Sequence, residues 1–112
     1  MKAIHIDATK KIVTEVEIEA GNLDEIYELL GCQIFTAVYI GDRDCIYVDD
    51  EGLLTNPQYF FKVPEVPHPL AGNGLIVGTG TDGETVAPFG TYDVTFLDIE
   101  EVVRGAHNST QG

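Results

Sequence analysis

Five carboxylates crowd one short stretch of the chain: Asp42, Asp44, Asp49, Asp50 and Glu51. Oxygen donors at that density are what a calcium or magnesium ion takes. The spacing argues against a shared ion. An EF-hand loop places its ligands at alternate positions around a central glycine, and this run does not. Residues 45–48 between the two acidic groups read as a strand, and five residues at about 3.3 Å each hold the groups about 16 Å apart. A weak cation site at Asp49, Asp50 and Glu51 alone is the alternative. The reading taken is a solvated acidic turn, and no metal site is assigned.

The other chemical motifs are thinner. Gly78-Thr79-Gly80-Thr81-Asp82-Gly83 matches the glycine spacing of a dinucleotide-binding turn. That function needs a helix to begin there, so that its N-terminus holds the pyrophosphate. Glu84-Thr85-Val86-Ala87-Pro88 follows instead, with two β-branched residues and a proline, and Asp-Gly is a hairpin signal. The glycines therefore predict a hairpin and no cofactor. The single serine, Ser109, lies near the polar C-terminus, which leaves no serine triad. Cys32 or Cys45 with His5 or His68 would be the material for a thiol nucleophile, and no local motif supports either pairing. No catalytic residue is assigned. His5 alternates with isoleucines and is expected to face solvent or close a polar contact. His68, between Pro67 and Pro69, is expected to pack its ring. The two cysteines read as small buried apolar side chains, and the sequon at Asn108 reads as accidental.

These residues must be held by a domain of modest size. A 112-residue chain buries roughly 65% of the surface its unfolded form exposes, enough for one core. Two strands with one wet face are predicted from the alternation of Ile4 and Ile6 and of Ile12, Thr14, Val16 and Ile18, joined by a turn at residues 7–10. Asn22 reads as a helix N-cap with Glu25 as its capping-box partner, Leu23, Ile26, Leu29 and Leu30 form an apolar stripe, and Gly31 ends the helix. Residues 34–40 are apolar on both faces and predict a central strand. A turn at residues 41–44 sends the chain back through residues 45–48. Residues 55–74 hold four of the five prolines and predict an irregular surface excursion. Within it, Tyr59-Phe60-Phe61 is either an exposed binding patch or a plug on the core. Residues 75–77 are a further strand, turned at residues 81–84 into residues 85–87. Residues 91–104 fit a strand followed by a helix, or one helix. The fold class is α+β: a mostly antiparallel sheet of five to six strands with one or two short helices on one face. One domain covers residues 1–105, and residues 106–112 are expected to be a disordered tail.

Two stretches together carry a family resemblance. They are Ile46-Tyr47-Val48-Asp49-Asp50-Glu51-Gly52-Leu53-Leu54 and Pro69-Leu70-Ala71-Gly72-Asn73-Gly74-Leu75-Ile76-Val77-Gly78. With the opening Met1-Lys2-Ala3-Ile4 and the segment from Ile26 to Cys32, the chain resembles a domain-of-unknown-function family of small proteins found on bacteriophages, prophages and plasmids. The likeness covers about residues 1–88, and after Pro88 the chain departs from the helical ending expected of the family. The resemblance implies a mobile-element origin and a bacterial host cytoplasm. It brings no catalytic residues.

Charge narrows the partners. Nineteen Asp and Glu stand against six Lys and Arg, for a net charge of −13. Such a surface repels nucleic acid and anionic membranes, no stretch approaches the length of a membrane span, and no signal-peptide pattern opens the chain. A cytoplasmic location is the expectation. The leading function is a non-enzymatic accessory protein that binds a bacterial host protein, a basic one among the candidates, as an inhibitor or through a DNA-mimic-like acidic surface. A small-molecule or nucleotide-sequestering domain is the alternative, and an uncharacterised enzyme is the third. The candidate binding residues are Asp49, Asp50 and Glu51, with Tyr47, Asp42 and Asp44. One outcome follows from charge alone: in a gel-shift assay at physiological salt the purified protein should retard neither DNA nor RNA, because it has too few cations to release the counterions that drive such binding. A specific shift that weakens steeply with salt would contradict this.

Overall fold

The computed structural model describes residues 1–111, with the side chains of Thr55 and of residues 106–111 left aside. The first two strands are β1 (Lys2–Asp7) and β2 (Ile12–Glu17), and helix α1 (Leu23–Leu30) follows. The helix ends are built as their residues dictate. The Asn22 side chain accepts from the Glu25 backbone N–H at 3.2 Å, and Glu25 Oε1 accepts from Asn22 Nδ2 at 3.0 Å. Gly31 closes the helix in the left-handed region, at φ 66°. Next come β3 (Phe35–Tyr39), β4 (Asp44–Asp49), a 3-10 turn (Gly52–Thr55), β5 (Tyr59–Lys62), β6 (Leu70–Ala71), β7 (Gly74–Thr79), β8 (Thr85–Val86), β9 (Thr95–Asp98) and helix α2 (Ile99–Gln111).

The strands form two antiparallel sheets. The large one runs β2-β1-β7-β4-β3, with β8 joined to β7, and the small one runs β6-β5-β9. Alternation along β7 sends Ile76 to one face and Leu75 and Val77 to the other. Ile76 joins Ile6 and Ile46 in a core with Phe61, Val63 and Leu70 from the small-sheet side. Leu75 and Val77 join Ala3 and Ile18 in a second core under Ile26 and Leu30 of α1. The molecule is thus helix, sheet, sheet, and the sequence-derived α+β class with a mostly antiparallel sheet holds. Helix α1 covers the large sheet, while α2 packs on β9 and β5. Among the described residues no helix is long and apolar enough to cross a membrane.

Three expectations are corrected. Residues 34–40 do not form the central strand: β3 lies at the sheet edge, with Tyr39 74% exposed, and β7 takes the centre. Their apolar content serves two marginal packings instead. Phe35 sits between the rings of Tyr27 and Tyr47, at 5.4 and 4.7 Å, while Val38 leans on the opposite core. Residues 55–74 are no surface excursion either. They carry two strands of the small sheet and bury Phe60, Phe61, Val63, Val66, Leu70 and Ala71. Their prolines bracket the strands without interrupting them: Pro57 precedes and Pro64 follows β5, and Pro69 immediately precedes β6. Finally, residues 91–104 resolve into a strand and then a helix, so the chain does end helically. Asp98 Oδ1 accepts from the Glu101 N–H at 2.8 Å and Glu101 Oε1 accepts from the Asp98 N–H at 3.3 Å, a capping box that starts α2. The tail expected to be disordered begins at residue 106. The side chains of that stretch, the sequon among them, and all of residue 112 lie outside the described residues.

The two sheets come into close contact at Gly74. A Cβ there would stand 2.6 Å from Phe61 Cζ, so only glycine admits the ring. Phe60 and Phe61 are 3% and 0% exposed while Tyr59 is 42% exposed, which makes the aromatic run a core plug with one residue left outside. In urea denaturation Phe61→Ala should therefore cost about 3–5 kcal/mol, and Tyr59→Ala far less. The reverse order would contradict the two-sheet core.

Candidate functional site

The acidic residues of the sequence separate in space. Asp44 and Asp49 begin and end the same strand, β4, so the two groups lie at its opposite ends, as their spacing predicts. Asp42 stays on the exposed turn before β4. Asp44 does not. It is 2% exposed, and its carboxylate accepts from the backbone N–H of Phe89 at 2.9 Å, from that of Gly90 at 2.8 Å and from the Tyr92 hydroxyl at 2.6 Å. Asp44 is therefore a clasp that fastens the segment after β8 to the start of β4, and is not a solvated binding residue. Two neighbours support the clasp. The Arg43 guanidinium lies 4.5 Å from the centre of the Phe89 ring, and Gly78 leaves room for the Ala87 carbonyl, which a Cβ would meet at 2.6 Å. Tyr47 also leaves the candidate site: it is half-buried and stacks on Phe35 in the α1-side core.

The remaining acidic residues stay together at the other end of β4. Asp49 Oδ1 accepts from the Glu51 N–H at 2.9 Å, an Asx turn. Asp50 N donates to the Ile34 carbonyl at 3.0 Å, and Leu54 N to the Glu51 carbonyl at 2.9 Å. The backbone of the turn is thus tied to β3 and to itself, and Asp50 and Glu51 project into solvent. Directly after them the 3-10 turn presents Leu53 and Leu54, 74% and 80% exposed. These leucines were missed in the sequence. Their signal was two adjacent apolar residues between an acidic turn and Asn-Pro, where a helix or strand period cannot bury both.

Beside this protrusion lies a polar cleft of about 300 Å³. Asp49 and Gly52 line one wall, Gln58 and Tyr59 another, and Gly72 and Asn73 a third, with Gly31 from the end of α1. Asn73 ties the walls together: its Oδ1 accepts from Ala8 N at 3.1 Å and its Nδ2 donates to the Leu29 carbonyl at 3.5 Å. His5 Nε2 bonds the same carbonyl at 2.8 Å, the polar contact expected of it. The two stretches that carry the family resemblance, 46–54 and 69–78, both reach this cleft.

Little of the remaining chemistry converges. Burial first, and then the charge of Asp49, push the Cys32 thiol up, against a hydrogen bond from the Ile34 backbone. Burial and then Asp44 do the same to Cys45, so neither thiolate forms readily. Both thiols are free. Among the described residues no three of His, Cys, Asp and Glu stand together as metal ligands. The glycine-rich run is the predicted hairpin: β8 pairs with β7, Gly80 N donates to the Glu84 carbonyl at 2.8 Å, and Gly83 takes φ +83°.

The clasp titrates at both ends of the pH scale. Burial alone would raise the Asp44 carboxyl, but the bonds from Phe89, Tyr92 and Gly90 outweigh it and hold the group below the usual 3.8. A depressed folded value contributes stability that is present above the ordinary carboxylate range and is lost as pH falls through that folded value. Tyr92 moves the other way. Burial, the hydrogen bond to Asp44 and the charges of Asp44 and Glu65 push it from 10.0 up to about 12. A raised folded value contributes stability that is complete below pH 10 and is lost as pH rises to about 12. Urea midpoints measured against pH should show both limbs. Tyr92→Phe should flatten the alkaline one, and Asp44→Asn the acid one; unchanged limbs in both variants would contradict the clasp.

Comparison with known proteins places the chain in a family without assigning it an activity. Uncharacterized protein y4iR of Sinorhizobium fredii is 29% identical over 79 residues, which cover 69% of this chain and 49% of that protein. The match therefore spans about half the length of that curated relative. No solved structure matches the chain. Residues 1–92 match a family throughout, from β1 past the cleft to the Asp44 clasp, and the chain belongs to the family described as Domain of unknown function (DUF3846).

Proposed function

We propose that this domain is a non-enzymatic protein-binding module, an accessory of a phage or plasmid that docks on a basic bacterial host protein. The observation that carries this reading is the pair Leu53 and Leu54, 74% and 80% exposed on a turn whose backbone is hydrogen-bonded in place. Large apolar side chains held out in water by ordered backbone are what interfaces bury. Asp50 and Glu51 stand immediately beside them. Carboxylates at such a rim steer a cationic partner and raise its on-rate, while the leucines supply the desolvated centre. The net charge of −13 extends the attraction beyond the contact itself.

The alternative, a small-molecule site, draws on the cleft of about 300 Å³. Phosphate-bearing nucleotides suit it poorly, because Asp49 is the charged residue among its walls. An enzyme has less support still, with both thiols pushed up and His5 engaged by a backbone carbonyl.

The test is capture of a partner from a bacterial extract on the immobilised protein, followed by binding of the purified, identified partner. Replacing both leucines, Leu53→Ser with Leu54→Ser, should weaken that binding by roughly thirtyfold or more without lowering the melting temperature. Asp50→Asn with Glu51→Gln should slow association and blunt its salt dependence. A partner whose binding survives both pairs of substitutions would overturn the reading.

A further inference from the structure

We infer that the cleft beside the leucine protrusion is a receptor for one arginine side chain of the docked protein. This rests on the docking reading above for the source of the arginine, and on the cleft itself for the chemistry. Asp49 is half-buried at the cleft wall, and its Oδ1 is occupied by the Glu51 N–H. A half-desolvated carboxylate favours a charged donor over water.

No Lys, Arg or His lines the cleft to supply that donor from within. Gly31 lines the cleft as the C-cap of α1, whose Leu29 carbonyl is already engaged by the Asn73 and His5 side chains. Asp49 and a net charge of −13 call for a cation.

The shape selects which cation. A volume of about 300 Å³ is at the small end of ligand pockets, the size for a side chain and short of a nucleotide. Tyr59 lines the cleft and is 42% exposed, which offers an aromatic surface among the same walls. Gly52 and Gly72 contribute no side chain to the walls, and Gly72 takes φ +77°, a conformation that keeps it glycine. A planar guanidinium pairs with a carboxylate and stacks on an aromatic at once, whereas an ammonium does only the first. The wall of Gln58 adds a side-chain carbonyl as a further acceptor.

The probes are acetyl-arginine amide and acetyl-lysine amide, titrated into the full chain and followed by amide chemical shifts. The expected result is saturable shifts at Gly52, Gly72 and Asn73 with the arginine probe, and binding several-fold weaker with the lysine probe. Asp49→Asn keeps an oxygen for the Glu51 N–H, so the turn stays built, and it should weaken the arginine probe about tenfold. Tyr59→Leu should remove the preference for arginine over lysine. Shifts spread over the other carboxylates, or an affinity unchanged in Asp49→Asn, would overturn the inference. The two readings fail separately. If the leucine substitutions leave partner binding intact while the arginine probe still fills the cleft, the docking surface is wrong and the guanidinium site stands. If the partner binds through the leucines but does not compete with the probe, the cleft serves a free guanidinium ligand and the arginine is not the partner's.

Discussion

Strand β7 has no side of its own facing water, and the rest of the molecule is arranged to keep it so. Leu75, Ile76 and Val77 are each at most 2% exposed. A strand buried on both faces needs a layer on each. Helix α1 supplies one and the small β6-β5-β9 sheet the other. Gly74 at the head of the strand lets Phe61 press against the sheet, so the second layer seats closely. The proline-rich segment is then indispensable to the core, because it is the segment that delivers Phe60, Phe61, Val63 and Leu70.

The same demand explains the Asp44 clasp. Beyond the paired length of β7 and β4 the chain has to cross from the large sheet to β9, and that crossing has few apolar anchors. Asp44 fastens it with one carboxylate, two backbone amides and a phenol. A buried carboxylate is costly unless its hydrogen-bonding capacity is met. Here it is met by groups of the same crossing segment, so the cost of burying the charge and the placement of residues 89–92 are resolved together. The clasp also works at a distance from the candidate site, since it lies at the far end of β4 from Asp49.

At the opposite end the same strand releases the chain into the acidic turn and the leucine protrusion. What distinguishes this end is that its ordered backbone does not bury its side chains. Hydrogen bonds to Ile34 and within the turn hold residues 49–54 in place, while Leu53 and Leu54 remain out in solvent. The degree of exposure sets this surface apart from edge strand β2, where Ile12 and Val13 are 47% and 44% exposed.

Local structure was legible in the sequence because its causes are local. Asn22, Glu25 and Gly31 bound α1, the Asp82-Gly83 turn makes a hairpin, and the period-two alternation at the N-terminus makes β1 and β2. Those signals act within a few residues, through capping bonds, backbone conformation and side-chain alternation. Net charge was likewise available from composition. Tertiary structure alone decided the rest. An apolar run such as residues 34–40 carries no mark of whether it lies at the centre or the edge, because strand order is set by which partners the whole chain can close upon. Pro57, Pro64 and Pro69 look like loop residues until the strands they bracket are paired. Asp44 and Asp49 look alike in the sequence, five positions apart, yet one is buried by residues 89–92 and the other lines a cleft shared with Gly31, Tyr59 and Gly72. A carboxylate's role depends on the donors and dielectric around it, and here those are brought from segments far away along the chain.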